Sequence, residues 1–151
     1  MTFTTLLKLC LIVCVLTAAT LITTSVVSAP ALPNPVLYLK VSEPFTTGGK
    51  TFMRYTYDVD NKDAYPADLF AAAPALPPCG KNAKSSRTWV DFFDQSGKRL
   101  YGFCALSKPK DLDGIWFAIE ESVTPPSWVY IEMTDRQTNT KYKSNLADTT
   151  N

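Results

Sequence analysis

The sequence predicts an all-β domain, a sandwich of two antiparallel sheets built from about seven strands. Three observations predict it. Short runs alternate apolar and polar side chains, clusters of Gly, Pro, Asp and Asn separate them, and no segment has the 3.6-residue periodicity of an amphipathic helix.

The chain opens with an apolar leader. Lys8 is the one charge before a run from Leu9 to Val27 that is apolar or small throughout. This is the plan of a secretory signal, and Ala29-Pro30-Ala31 supplies the small residues a peptidase requires, predicting a signal peptide over 1–31 and Leu32 as the new start. The alternative is an uncleaved anchor, because the run is 19 residues long and a spanning helix needs roughly 20. Residues 32–35 read as a proline-rich spacer, 36–146 as the sandwich domain, and 147–151 as a polar tail.

Val36 to Val41 alternates, with Leu37, Leu39 and Val41 on one side, and forms the first strand. Thr47-Gly48-Gly49-Lys50 turns the chain into a second, where Met53, Tyr55, Tyr57 and Val59 share a face. Residues 60–84 hold four of the eleven prolines and no sustained alternation, so they read as an irregular excursion with a helical turn near Ala67 to Ala72. Thr88 to Phe93 and Arg99 to Leu106 flank Asp94-Gln95-Ser96-Gly97-Lys98, a hairpin in which Asp94 pairs with Lys98, Phe92 with Leu100 and Trp89 with Phe103. Ile115 to Ile119, Trp128 to Thr134 and Lys141 to Leu146 complete the set. In strand number and spacing the domain resembles the immunoglobulin and fibronectin type III sandwiches, a likeness that implies architecture and no activity.

Removal of the leader leaves 120 residues, enough for one domain, with 14 basic and 14 acidic side chains. Such a balance excludes nucleic acid as a partner and gives no basic run for a membrane surface once the signal is cleaved. Cys10 and Cys14 belong to the leader, so Cys79 and Cys104 have each other as the available partner. Their disulfide fits an oxidising compartment, secreted or periplasmic.

The chain contains no histidine, which removes the commonest general base and metal ligand. No catalytic residue and no cofactor is expected. The carboxylate pairs Asp91/Asp94, Asp111/Asp113 and Glu120/Glu121 are the material for a glycosidase-type alternative. Asp58, Asp60 and Asp63 are weak calcium candidates, since Lys62 and a missing glycine break the EF-hand pattern. Aromatic residues opposite the expected core, Trp89, Tyr101, Phe103, Trp116, Trp128 and Tyr130, are the candidate binding residues, for rings of this kind offer apolar area with a polar rim.

The run Leu76-Pro77-Pro78-Cys79-Gly80 with Asn82, then Ser86-Arg87-Thr88-Trp89-Val90-Asp91, Phe93-Asp94-Gln95 and Tyr101-Gly102-Phe103-Cys104, resembles a signature of small exported bacterial proteins. Ile115-Trp116-Phe117 and Thr134-Asp135-Arg136 resemble the same group. The resemblance implies export from a bacterial cell and a shared fold, with no activity or catalytic residue attached. The leading expectation is a non-enzymatic binding or accessory module for a glycan or protein partner. The alternatives are a carboxylate-type or calcium-assisted hydrolase and a structural subunit of a surface assembly.

Overall fold

Alternation along the backbone becomes two packed antiparallel sheets in a computed structural model, which describes residues 31–78, 85–104 and 107–150. The smaller sheet has the order β1-β2-β5, from Leu37–Thr47, Lys50–Val59 and Ile115–Glu120. The larger has the order β4-β3-β6-β7, from Arg99–Cys104, Thr88–Asp94, Trp128–Asp135 and Thr140–Lys143, with β8 (Ala147–Asp148) also on β6. The leader and Cys79 lie outside the described residues, and so does the expected Cys79–Cys104 pairing. Cys104 itself is buried at the end of β4 and is not a free thiol.

Side chains of one parity from each sheet meet in the middle. Tyr55, Tyr57, Val59, Ile115 and Phe117 face Val90, Phe92, Val129, Ile131 and Met133, all buried. The Phe92 ring joins the layers, 5.1 Å from Phe117 and 5.7 Å from Tyr57 between centroids. Each such side chain contributes about 1.5–3 kcal/mol by leaving water.

The structure corrects several expectations. β1 follows the predicted alternation only to Leu39, where a bulge at Lys40 shifts the register and turns Val41 outward. The strand nevertheless runs to Thr47 through Pro44, which an edge strand tolerates. In the β3–β4 hairpin, Phe93 pairs with Arg99 but Phe92 pairs with Tyr101, so Leu100 is the extra residue of a bulge. Every partner beyond it moves by one from the expected pairing: Val90 meets Phe103 and Trp89 meets Cys104. Of the segment expected to be a tail from 147, Ala147–Asp148 forms a strand on β6, Ala147 and Thr149 are buried, and Thr149 is tied to the 126–127 turn. The spacer is packed as well: Leu32 lies against the core, and Tyr65 Oη donates to the Pro33 carbonyl at 2.8 Å.

The excursion after β2 contains short 3-10 turns at Lys62–Ala64 and Ala67–Phe70, near the expected helical turn, and buries Tyr65, Leu69 and Phe70. Arg87 fastens its far end. Its Nε and Nη2 donate to the two oxygens of buried Asp135 at 2.9 and 2.8 Å, and Nη1 reaches Asp68 at 3.0 Å. The β1 flank of the sandwich is closed by Asn145, whose amide accepts from the Leu37 N–H at 2.8 Å and donates to the Leu37 carbonyl at 2.9 Å. One side chain thereby substitutes for a strand partner.

Candidate functional site

At the opposite flank β4 and β5 each end their sheet, and no backbone ladder joins them. The Leu100 bulge decides what fills this seam. Residues opposite each other in an antiparallel pair share a face, so pairing with Phe92 and Val90 turns Tyr101 and Phe103 toward the other sheet. Phe103 lies 6.4 Å from Phe92 at the edge of the core, and Tyr101 lies 6.2 Å further out. The Tyr101 ring runs nearly parallel to Trp116 of β5, 13° apart with centroids at 6.3 Å. These two rings remain 46% and 42% exposed.

They border a cleft of about 200 Å³, lined by the apolar side chains of Tyr101, Phe103, Ile115 and Trp116 and by Asp111, Asp113 and Gly114. Both carboxylates are positioned by local structure. Asp111 sits in the 3-10 turn Pro109–Leu112, where its Oδ2 accepts from the N–H groups of Ser107 and Lys108 at 2.9 and 3.2 Å. Its Oδ1 has no hydrogen bond among the described residues. Asp113 follows the turn and pairs through Oδ1 with Lys62 at 3.1 Å, which raises the Lys62 pKa.

Gly114, at φ 71°, then swings the chain into β5, a conformation that side-chain-bearing residues seldom adopt. Its N–H donates to Asp58 Oδ1 at 2.6 Å. Asp58, one of the calcium candidates, is thereby a buried anchor, also bound by Lys40 at 2.9 Å and Tyr38 at 3.4 Å. Burial opposes its charge, but the Lys40 and Gly114 hydrogen bonds prevail and its pKa is lowered. Asp60 and Asp63 are exposed, and among the described residues no three acidic or sulfur-bearing side chains converge as a metal site would require.

Trp116 is held from behind. The Arg54 guanidinium lies 5.8 Å from its ring and 5.6 Å from Phe45, while pairing with Glu43. Phe45 in turn meets Trp116 edge-on at 6.3 Å.

Sequence reasoning did not single out Phe45 or Arg54. The two-residue Gly48-Gly49 turn was the signal, since it fixes Phe45 opposite Phe52 and Glu43 opposite Arg54.

The six aromatic candidates do not form one outward platform. Tyr101, Phe103 and Trp116 gather at the cleft, whereas Trp89, Trp128 and Tyr130 lie on the outer face of the larger sheet. There Arg99 covers Trp89 at 5.8 Å while bound to Asp91 at 2.6 Å. Tyr130 stacks on Phe93 at 5.2 Å beneath the Lys143 ammonium at 4.1 Å. Trp128 is 44% exposed.

The carboxylate pairs divide similarly. Asp91 is engaged by Arg99, Asp94 caps its own turn by accepting from Ser96 and Lys98, and Glu120 pairs with Lys50. Asp111 and Asp113 line the cleft.

Comparison of the chain with protein families, with curated proteins and with solved structures found no match.

Proposed function

We propose that this chain is an exported, non-enzymatic binding module that takes a glycan or a protein partner at the β4–β5 cleft. The observation that carries this reading is the exposed, near-parallel Tyr101–Trp116 pair lining one cleft with the carboxylates of Asp111 and Asp113. Flat aromatic faces beside fixed polar groups are the usual furniture of a recognition site. The lack of histidine and the engagement of Asp111 by backbone donors and Asp113 by Lys62 favour binding over catalysis.

The proposal includes cleavage after Ala31, release to the periplasm or medium of a bacterium, a Cys79–Cys104 disulfide, and kinship with the exported group whose motifs the chain resembles. The strand orders β1-β2-β5 and β4-β3-β6-β7, with crossovers between the sheets at β2–β3, β4–β5 and β5–β6, support an immunoglobulin-like or fibronectin type III-like arrangement.

The test uses the full chain expressed with its leader and purified after export, as wild type and as a Tyr101→Ala/Trp116→Ala variant, on a glycan array and in pull-downs. A ligand held by wild type and lost by the variant supports the reading. Ligands retained equally by both refute it. A second reading, a carboxylate hydrolase, is favoured by the shared position of Asp111 and Asp113. It requires glycoside turnover that Asp113→Asn abolishes without unfolding the protein.

A further inference from the structure

From the charge and hydrogen-bond state of the cleft lining, and resting on the binding reading above, we infer that its ligand is a neutral pyranose, taken one ring at a time with the sugar's C–H face on Tyr101 and Trp116. Size sets the first limit. A volume of about 200 Å³ lies below the roughly 300–1,000 Å³ of sites for drug-sized molecules, so the cleft admits one ring and leaves the rest of any chain outside.

Charge sets the second. An anionic sugar would bring its carboxylate against the acceptor oxygen of Asp111, the cleft carboxylate without a cationic partner among the described residues, a like-charge contact that costs affinity. The Gly114 N–H, which could have met an anion, is already given to Asp58. A cationic ligand fares no better: Asp113 is already paired with Lys62, and Arg54 occupies the neighbourhood of the Trp116 ring. Exposed Lys108 and Lys110 flank Asp111 on the same turn and oppose a further positive charge.

What the lining can accept is a donor without charge. Asp111 Oδ1 is a free acceptor among the described residues, a fit for a ligand hydroxyl. The half-exposed Tyr101 and Trp116 rings supply apolar surface at the cleft, to which the axial C–H groups of a glucose-configured ring are complementary.

The test is a ligand-observed NMR titration of the exported full-length protein with methyl β-glucoside, glucuronic acid and glucosamine, three rings differing in charge. Weak binding of the neutral glucoside is expected, with glucuronic acid at least tenfold weaker and glucosamine no tighter. Trp116→Ala should weaken the glucoside about tenfold, and Trp128→Ala, on the outer face of the larger sheet and away from the cleft, should not. Circular dichroism verifies that each variant is folded, and Asp111→Asn provides a shape-preserving probe that should weaken the glucoside while relieving the exclusion of glucuronic acid.

Equal or tighter binding of either charged sugar, if dependent on Tyr101 and Trp116, overturns the neutral assignment and leaves the cleft as a binding site. Sugar binding indifferent to both rings overturns both readings. Absence of binding by all three sugars overturns the inference alone, since a protein partner at the cleft is read separately by the pull-down.

Discussion

Replacement of Asp135 by Asn should destabilise the protein by about 3 kcal/mol at pH 7, and about half of that loss should disappear as the pH approaches 2.5. Asp135 is 2% exposed and accepts four hydrogen bonds: from Arg87 Nε and Nη2, from the Gln137 N–H at 3.0 Å and from Thr138 Oγ1 at 2.8 Å. The Arg87 hydrogen bonds, working against the cost of burial and aided by Thr138 and Gln137, hold its pKa at about 2. A tenfold change in proton affinity is about 1.4 kcal/mol, so the depression from the ordinary carboxylate value stabilises the fold by about 2 kcal/mol.

Because the folded pKa lies below the unfolded one, that stabilisation is fully present above about pH 4 and is lost as pH falls toward 2. An amide in place of the carboxylate turns an NH₂ group toward Arg87, costing about 1 kcal/mol more at any pH. Urea titrations of wild type and Asp135→Asn at pH 7, 5, 3.5 and 2.5 measure the difference. A gap that stays constant across that range would refute the argument that the Arg87–Asp135 charge pair, rather than the shape of the site, anchors the excursion.

Asn145→Ala removes both bonds to the Leu37 backbone and should cost about 1–3 kcal/mol; Asn145→Asp, which sets a carboxylate against the Leu37 carbonyl, should cost more than Ala in the same thermal melts. Phe92→Ala opens a cavity between the sheets and should cost about 3–5 kcal/mol by urea denaturation, whereas Trp128→Ala, on a half-exposed ring, should cost under about 1. If Cys79 and Cys104 are bridged, the closed loop of 26 residues stabilises by about 3.5 kcal/mol in the chain-entropy account, so Cys79→Ser should lower the melting temperature. Thiol labelling of the native protein should leave both cysteines unmodified, and labelling of both would exclude the bridge.

Period-two alternation was legible because a strand buried on one face displays it in its own residues, as Tyr55-Tyr57-Val59 and Val129-Ile131-Met133 do. The Leu100 bulge was not. An inserted residue leaves local composition unchanged, yet it reverses the face presented by Tyr101 and Phe103 and shifts the predicted pairing by one. β8 was hidden for a different reason: two residues are too few to alternate, and their pairing with β6 is set by tertiary contact. Tyr65, Leu69 and Phe70 read as part of a loop because their burial follows from tertiary packing, Tyr65 against Phe70 and Tyr142, not from a local period.

At the candidate site the residue types were visible. Tyr101, Phe103 and Trp116 read as surface aromatics and Asp111 and Asp113 as a carboxylate pair. Their convergence was not visible, because it joins the edges of two sheets that share no ladder.

The margin formed by β1 has a consequence for how the molecule behaves in company. An intruding strand trying to zip along it would meet the irregular backbone at Lys40 and then Pro44, which has no N–H to give. Growth of an intermolecular ribbon on that side therefore stalls after a few residues, and crowded copies of the chain are kept from templating one another there.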